Sequence, residues 1–338
     1  MNFYFYRLPG QEQINGSKSS RISTDQSIRG FMIVPFDKNN FETYIIPAEQ
    51  PITINELPEL ASQIEEESSQ TASSFFPSRS TSLEEYNEMI KETVTAIGKG
   101  HLEKCVISRA IIKPIKLDVT STFLNLCKEY PSAYVFCFYT SATGLWMGAS
   151  PEVLLNKSGK HLTTMALAGT QPVDSNEEWD DKNIEEHNVV LRYIVNKFKE
   201  LSVDPKSGPI YTVKAGPVKH LRTDISGFSQ TLSLPTALKL ATNLSPTPAL
   251  SGFPKGKAIH HIENTEPHTR ANYGGFVGEI TENGDFSFYV NLRSMLIKKD
   301  GVCIFSGGGI MGDSDCAKEW EETERKSRTL LNCIVEKK

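Results

Sequence analysis

The chain has 338 residues, 36 Lys and Arg against 41 Asp and Glu, and a formal net charge of −5. That length suits one large domain or two ordinary ones, and a chain of this size buries roughly 75% of its unfolded surface. The acidic balance leaves no basic footprint for nucleic acid, and no apolar run approaches the ~20 residues of a membrane span.

The opening MNFYFYRLPG sets an Arg and a Pro where a secretory leader needs an unbroken apolar stretch, so a cytoplasmic protein is expected. Residues 1–62 carry short apolar runs, FMIVPF and TYIIPA among them, that read as strands of a less specified N-terminal part. Residues 63–81 are rich in Ser and Glu and lack periodicity, which reads as a mobile loop or linker. The predicted core, 82–335, opens at Ser82. Ser82 and Glu85 fit a capping box, and Leu83, Tyr86, Met89, Ile90, Val94 and Ile97 then recur at helical spacing. KCVISRAIIKPI is β-branched and strand-like; AYVFCFYT, GLWMGAS and EVLLNKS follow as a meander, and LTTMALAGT adds another strand.

Ile184, His187, Leu191, Ile194, Phe198 and Leu201 form the stripe of a second helix. PIYTVKAGPVKHL reads as a strand and its turn, and LPTALKLATNL as a helix stopped by the prolines of SPTPALSGFPKGKA. YGGFVGEI, FSFYVNLRSMLI and GVCIFSGGGIM read as three successive antiparallel strands, and a last helix runs from about Asp315 to Val335. Strands outnumber β–α–β units, which predicts an α+β fold with mainly antiparallel sheets. The six cysteines are scattered without a CxxC, so buried thiols are expected rather than disulfides or zinc.

Lys104 and Glu152 are the pair that a water addition needs, because each sits in a strand-like segment where burial is expected. One group takes a proton from water while the other gives a proton to a leaving hydroxyl. A free lysine, with a pKa of ~10.4, is charged at neutral pH, so the base role requires burial; the acid must be held neutral. On the last helix, Glu319, Glu322 and Lys326 project within about 60° of one another at about 100° per residue. That stripe can hold a hard cation beside an anion, or be an ordinary solvated face with i,i+4 pairs. The glycines of SGGGI let backbone N–H groups approach an anion. Glu186 lies off the apolar stripe of its helix and is free to reach a cavity, whereas His187 lies in the stripe as a packed core histidine. Arg293 needs an anionic partner, either a structural Glu or a substrate carboxylate. His220 ends a strand and reads as a substrate contact or a surface turn residue.

KCVISR, GASPEVLL, ALAGT, EEHNVV, PTPALSGFPKGKA, YGGFVGEI, VNLRSM, SGGGIM and EWEETERKS occur in the order seen in chorismate-utilising enzymes. That family includes the isochorismate, salicylate, anthranilate and aminodeoxychorismate synthases, and the resemblance spans roughly residues 80–335. It implies one large domain over 1–338, with two packed antiparallel sheets and helices outside. Lys at the Lys104 position resembles members that deliver water, where ammonia-delivering members typically have Gln. PTPALSG looks like isochorismate synthase, and relatives that also expel pyruvate usually have Thr at the Ala249 position.

The resemblance therefore implies Mg²⁺-dependent, reversible conversion of chorismate to isochorismate, with water adding at C2 as the C4 hydroxyl leaves. Salicylate synthase is the nearest alternative; a non-catalytic chorismate-binding protein is the alternative of another class. Lys104 is implied as base and Glu152 as acid. Glu186 and Glu322 are implied as Mg²⁺ ligands, with Glu319 acting through metal-bound water. Arg293, Lys326 and the Gly307 N–H are implied to hold the enolpyruvyl carboxylate. Gly169, Thr170, His220, Ala249, Leu250 and Tyr273 match positions that line the pocket. Two positions depart from the pattern: Ser245 stands where isochorismate synthases often have His, and Asn183 where relatives often carry an acid. The expected setting is a cytoplasmic monomer serving menaquinone biosynthesis, with siderophore biosynthesis as the alternative.

Overall fold

Strands buried on both faces need apolar side chains at every position, and Asn2–Arg7 shows the consequence. Phe3 and Phe5 face an outer layer of helices, while Tyr4 and Tyr6 face the other sheet, so all six residues are buried. The computed structural model describes residues 1–26, 28–67 and 76–337. Among them, two nine-stranded sheets pack face to face, and every strand pairing is antiparallel, as the α+β expectation required.

The first sheet runs in the order Gly252–Phe253, Lys104–Lys113, Gly301–Ile310, Ser294–Lys298, Gly144–Ser150, Tyr134–Thr140, Asn2–Arg7, Ile14–Ser19, Gln50–Pro51. The second runs Asp204–Ser207, Val218–Phe228, His161–Pro172, Val153–Ser158, Phe286–Val290, Phe276–Ile280, Gly30–Val34, Tyr44–Pro47, and Tyr211–Ala215 also pairs with Val218–Phe228. Aromatic rings fill the gap between the sheets: Tyr4 stacks on Phe31 at 4.8 Å and Tyr134 on Tyr289 at 4.0 Å between centroids. Helices Asp181–Glu200 and Leu234–Leu244 cover the outer face of the second sheet. Leu57–Glu67 and Val119–Glu129 cover the first. Leu83–Gly98, Lys255–Thr265 and Cys316–Leu331 close one end around Cys105, Ile107 and Ile310.

Several elements differ from the sequence reading. The N-terminal strands are integral to both sheets: Asn2–Arg7 lies between Tyr134–Thr140 and Ile14–Ser19, and Gly30–Val34 pairs with Phe276–Ile280. The helix Leu57–Glu67 runs into the segment read as a linker, of which residues 68–75 lie outside the described residues. Two further helices were not expected, Val119–Glu129, capped by Asp118 on the Ser121 N–H, and Lys255–Thr265, which buries only Ala258 and Ile262. So sparse an apolar face leaves no periodicity to read.

FSFYVNLRSMLI is not one strand. Phe286–Val290 belongs to the second sheet and Ser294–Lys298 to the first, so the chain crosses between layers at Asn291–Arg293. Arg293 makes the corner with φ of 50°, a left-handed conformation that L residues adopt at a cost. The capping box at Ser82 forms as read, with the Ser82 N–H donating to Glu85 Oε2 at 2.9 Å. The stripe read on helix Asp181–Glu200 holds at His187, Ile194 and Phe198, with Leu191 and Leu201 packed on the core, but Ile184 is 38% exposed while Asn183 and Glu186 are turned inward. Its first turns face a polar cleft, and Val190 and Tyr193 join the stripe in the apolar core.

Candidate active site

The cleft forms where the edges of both sheets meet the first turns of Asp181–Glu200 and the middle of Cys316–Leu331. It encloses about 620 Å³ including its open mouth. Its walls carry Glu152, Thr170, Glu186, His220, Ala249, Leu250, Tyr273, Arg293, Gly307 and Lys326, all residues singled out in the sequence. Lys104, Gly169, Glu319 and Glu322 stand behind that wall. Gly308 and Gly309 of the glycine run line it too, and Pro151, Leu292, Phe305 and Ser306 do so without having been singled out.

Lys104 begins the strand Lys104–Lys113 and is wholly buried. Its Nζ lies 2.8 Å from Glu186 Oε1, an ion contact whose angles fall outside hydrogen-bond geometry. The neighbouring strand makes room for this pair by having no side chain. A β-carbon at Gly309 would collide with the Glu186 carboxylate and come within 3.1 Å of Lys104 Cε. Glu186 is buried, which pushes its carboxyl up, yet the Lys104 ammonium outweighs burial and holds it below the ordinary value.

Glu152 is the opposite case. It follows the strand Gly144–Ser150, is 3% exposed and makes no ion pair among the described residues. Burial pushes its carboxyl up to about 8 against the pull of Lys104 and Lys326, so it is protonated at neutral pH. Two carboxyl groups of one cleft are thus driven apart, one a proton donor and the other an anion.

The remaining carboxylates each face a lysine. Glu319 Oε1 accepts from Lys182 Nζ at 2.7 Å and from Ser314 Oγ at 2.7 Å. Burial and the neighbouring Glu322 carboxylate raise the Glu319 pKa. Glu322 Oε1 accepts from Lys326 Nζ at 2.5 Å, and Lys326 also donates to the Gly307 carbonyl at 3.0 Å. The i,i+4 pair of an ordinary charged face is therefore present, with Lys326 in the cleft wall and Glu322 behind it. A β-carbon at Gly308 would sit 3.0 Å from Glu319 Oε2 and 3.5 Å from Glu322 Oε1, so all three carboxylates converge on the glycine run. Three carboxylates suit a hard divalent cation. Among the described residues, however, no three metal-binding side chains are gathered closely enough to hold one ion, and lysines take the countercharge position.

Arg293 has no carboxylate partner among the described residues. Its Nη1 donates to Thr329 Oγ1 at 2.8 Å, and its Nη2 lies 3.4 Å from His220 Nε2. Burial lowers its pKa to about 10, which leaves it charged, and it shares the cleft wall with Tyr273. Of the two partners the sequence left open, the structural Glu is therefore absent. His220 is buried rather than a surface turn residue, and burial with Arg293 and Lys326 lowers its pKa to about 3, so the ring is neutral. His187 packs in the core against Thr223 Oγ1 at 2.9 Å.

A buried support went unread. Arg270 bonds Glu266 through Nε at 2.9 Å and donates to the carbonyls of Val106 and Leu250, both at 2.7 Å. It thus ties the Lys104 strand to the loop that carries Ala249 and Leu250. The i,i+4 spacing of Glu266 with Arg270 was the available signal.

Residues 37–335 match the family described as chorismate binding enzyme. The chain belongs to that family. Among the relatives of this chorismate-binding enzyme, isochorismate synthase EntC of Escherichia coli K12 is 31% identical over 73% of this chain and 66% of its own length. Isochorismate synthase MenF of Bacillus subtilis is 30% identical over 74% of this chain. The chain spans only 55% of that MenF, and just under two thirds of EntC. Isochorismate synthase DhbC from Bacillus anthracis has the same fold, with a TM-score of 0.80 at 20% identity over 98% of this chain and 95% of that one. Anthranilate synthase component I from Streptococcus pneumoniae gives 0.66 at 18% identity over 98% of this chain and 92% of its own. No helix of the described residues is long and apolar enough to cross a membrane.

Proposed function

We propose that this chorismate-binding enzyme is an isochorismate synthase. The observation that carries the reading is the protonated Glu152 in the same cleft as the anionic Glu186, with Lys104 the strongest charge acting on Glu152. Lys104 takes the proton of the attacking water as oxygen bonds to C2. Glu152 gives its proton to the C4 hydroxyl, which leaves as water while the ring double bonds shift. In its contact with Glu186, Lys104 is an ammonium and has no lone pair, so it must first give up a proton to solvent and act as the neutral amine; the paired arrangement is the site before that loss. Arg293, lacking a counter-ion, holds the enolpyruvyl carboxylate with Tyr273, Lys326 and the Gly307 backbone. Gly169, Thr170, His220, Ala249 and Leu250 shape the rest of the pocket.

Glu186 and Glu322 are the two carboxylates that would hold Mg²⁺, with Glu319 beside them, and the ion would supply charge neutralisation for the ring carboxylate. The oxygen-only donor set and its convergence on Gly308 and Gly309 support this assignment. Menaquinone formation is the role proposed, with siderophore formation as the alternative. The reading extends to a cytoplasmic monomer, which sedimentation tests; loss of menaquinone on deletion of the gene tests the pathway.

Purified protein given Mg²⁺ and chorismate is expected to yield isochorismate without pyruvate, and chelation to stop turnover. Release of pyruvate with fluorescent salicylate would establish salicylate synthase instead. Chorismate bound but unchanged would establish a non-catalytic binding protein.

A further inference from the structure

Asn183 stands in the first turn of Asp181–Glu200, buried, with both ends of its amide engaged. Its Nδ2 donates to Asp180 Oδ1 at 2.6 Å, and its Oδ1 accepts the Thr170 N–H at 2.8 Å. A carboxylate only accepts and a backbone N–H only donates, so the amide has one permitted orientation. An acid at this position would set its charge against Asp180, which gives the departure from the family pattern a local reason.

Thr170 belongs to a bulge, where His161–Pro172 and Val218–Phe228 lose register between Ala168 and Thr170. Gly169 occupies it with φ of +77°, and a β-carbon there would press to 3.0 Å on the Asn183 carbonyl. The bulge turns the Gly169 carbonyl to within 2.9 Å of His220 Nδ1. A carbonyl only accepts, so Nδ1 carries the proton of the neutral ring and Nε2 presents a lone pair. That lone pair faces Arg293 Nη2 at 3.4 Å. Six residues thus form a line from the helix cap to the guanidinium: Asp180, Asn183, Gly169 with Thr170, His220 and Arg293.

We propose that Asn183 is a positioning residue for the anion subsite: it holds the Gly169 bulge, and through it the His220 tautomer and the seat of Arg293. This rests on the reading that Arg293 grips a substrate carboxylate. Subsite binding is felt equally in ground and transition states, so its loss appears in KM rather than kcat.

Asn183→Asp opposes two carboxylates and is expected to raise KM for chorismate about tenfold, the scale of one misplaced hydrogen bond, with kcat nearly unchanged. The double variant Asp180→Asn/Asn183→Asp exchanges donor and acceptor between the side chains and keeps the Thr170 bond, but an amide nitrogen in place of Asp180 Oδ1 no longer caps the backbone N–H of residue 183, so KM is expected to fall back part of the way toward the wild-type value. The imidazole ¹⁵N spectrum reports the tautomer without any substrate: His220 shows a single Nδ1–H form in the wild type and a mixture in Asn183→Asp. If Asn183→Asp does not fold, Asn183→Ala is judged by the same KM and spectrum. The proposal is overturned by an unchanged KM and tautomer in the single variant. It is equally overturned by a kcat loss at constant KM, or by a folded double variant that keeps the raised KM. Wild-type protein inert toward chorismate would sink the functional reading, and the spectrum would still decide the role of Asn183.

Discussion

Lys104 Nζ and Glu186 Oε1 lie 2.8 Å apart with the lysine wholly buried, so the group assigned as base and a carboxylate assigned to the metal are each other's counter-ion. Removing one partner of a buried pair strands a charge, at a cost of about 3 kcal/mol or more, while removing both does not. Lys104→Met and Glu186→Gln are each expected to lose about that much stability in urea unfolding, and the double variant to lose far less than their sum. Additive losses would mean that the pair is not coupled.

The same pairing recurs at Glu319 with Lys182 and at Glu322 with Lys326, so the three carboxylates are already neutralised. A divalent cation entering this cluster leaves an excess of two positive charges beside Arg293, and a dicarboxylate restores balance. Mg²⁺ and chorismate are therefore expected to bind with positive coupling, each tightening the other by the same factor. Calorimetric titration of Mg²⁺ with and without chorismate, on Glu152→Gln protein to prevent turnover, measures that factor. Equal affinities in the two titrations would remove the charge argument.

Burial raises Glu152 from an ordinary 4.5 to about 8. The acid is charged above that pH, so kcat/KM is expected to fall on an alkaline limb near pH 8, and Glu152→Gln to abolish turnover while leaving the fold intact. A raised carboxyl contributes stability that is fully present below 4.5 and lost as pH rises toward about 8. The melting temperature of Glu152→Gln, relative to wild type, should climb across that window and level above it. A constant difference would show that Glu152 titrates normally.

Gly309 has to be glycine because Glu186 and Lys104 occupy the space of a side chain. Gly309→Ala is expected to displace Glu186 and lower kcat/KM by about a hundredfold, the scale of an ångström's misplacement, while weakening the response to Mg²⁺. Wild-type kinetics in this variant would place the metal elsewhere.

The strands of the sheets and the Ser82 helix cap were legible because each depends on neighbours in sequence. The helix Asp181–Glu200 was legible in extent and in most of its buried stripe, but not at its first turns. There Ile184 is exposed and Asn183 and Glu186 turn in, because that end faces a polar cleft. The run FSFYVNLRSMLI looks continuous because both halves are buried, although they belong to different sheets. For the site, residue types at motif positions were enough to name Lys104, Glu152, Glu186 and Arg293. That Lys104 and Glu186 are each other's counter-ion was not legible, nor were the contacts of Glu319 with Lys182 and of Arg293 with Thr329, since each joins elements far apart in sequence.

Residue order and chemistry alone settled the fold class, the Ser82 helix cap and the side chains capable of acid, base and anion-binding work, because these follow from local burial contrast and from functional groups. Folding in three dimensions settled which carboxyl is protonated, which is paired, and which cation is left without a partner. Those outcomes depend on desolvation and on charges a few ångströms away, supplied by strands and helices far apart along the chain.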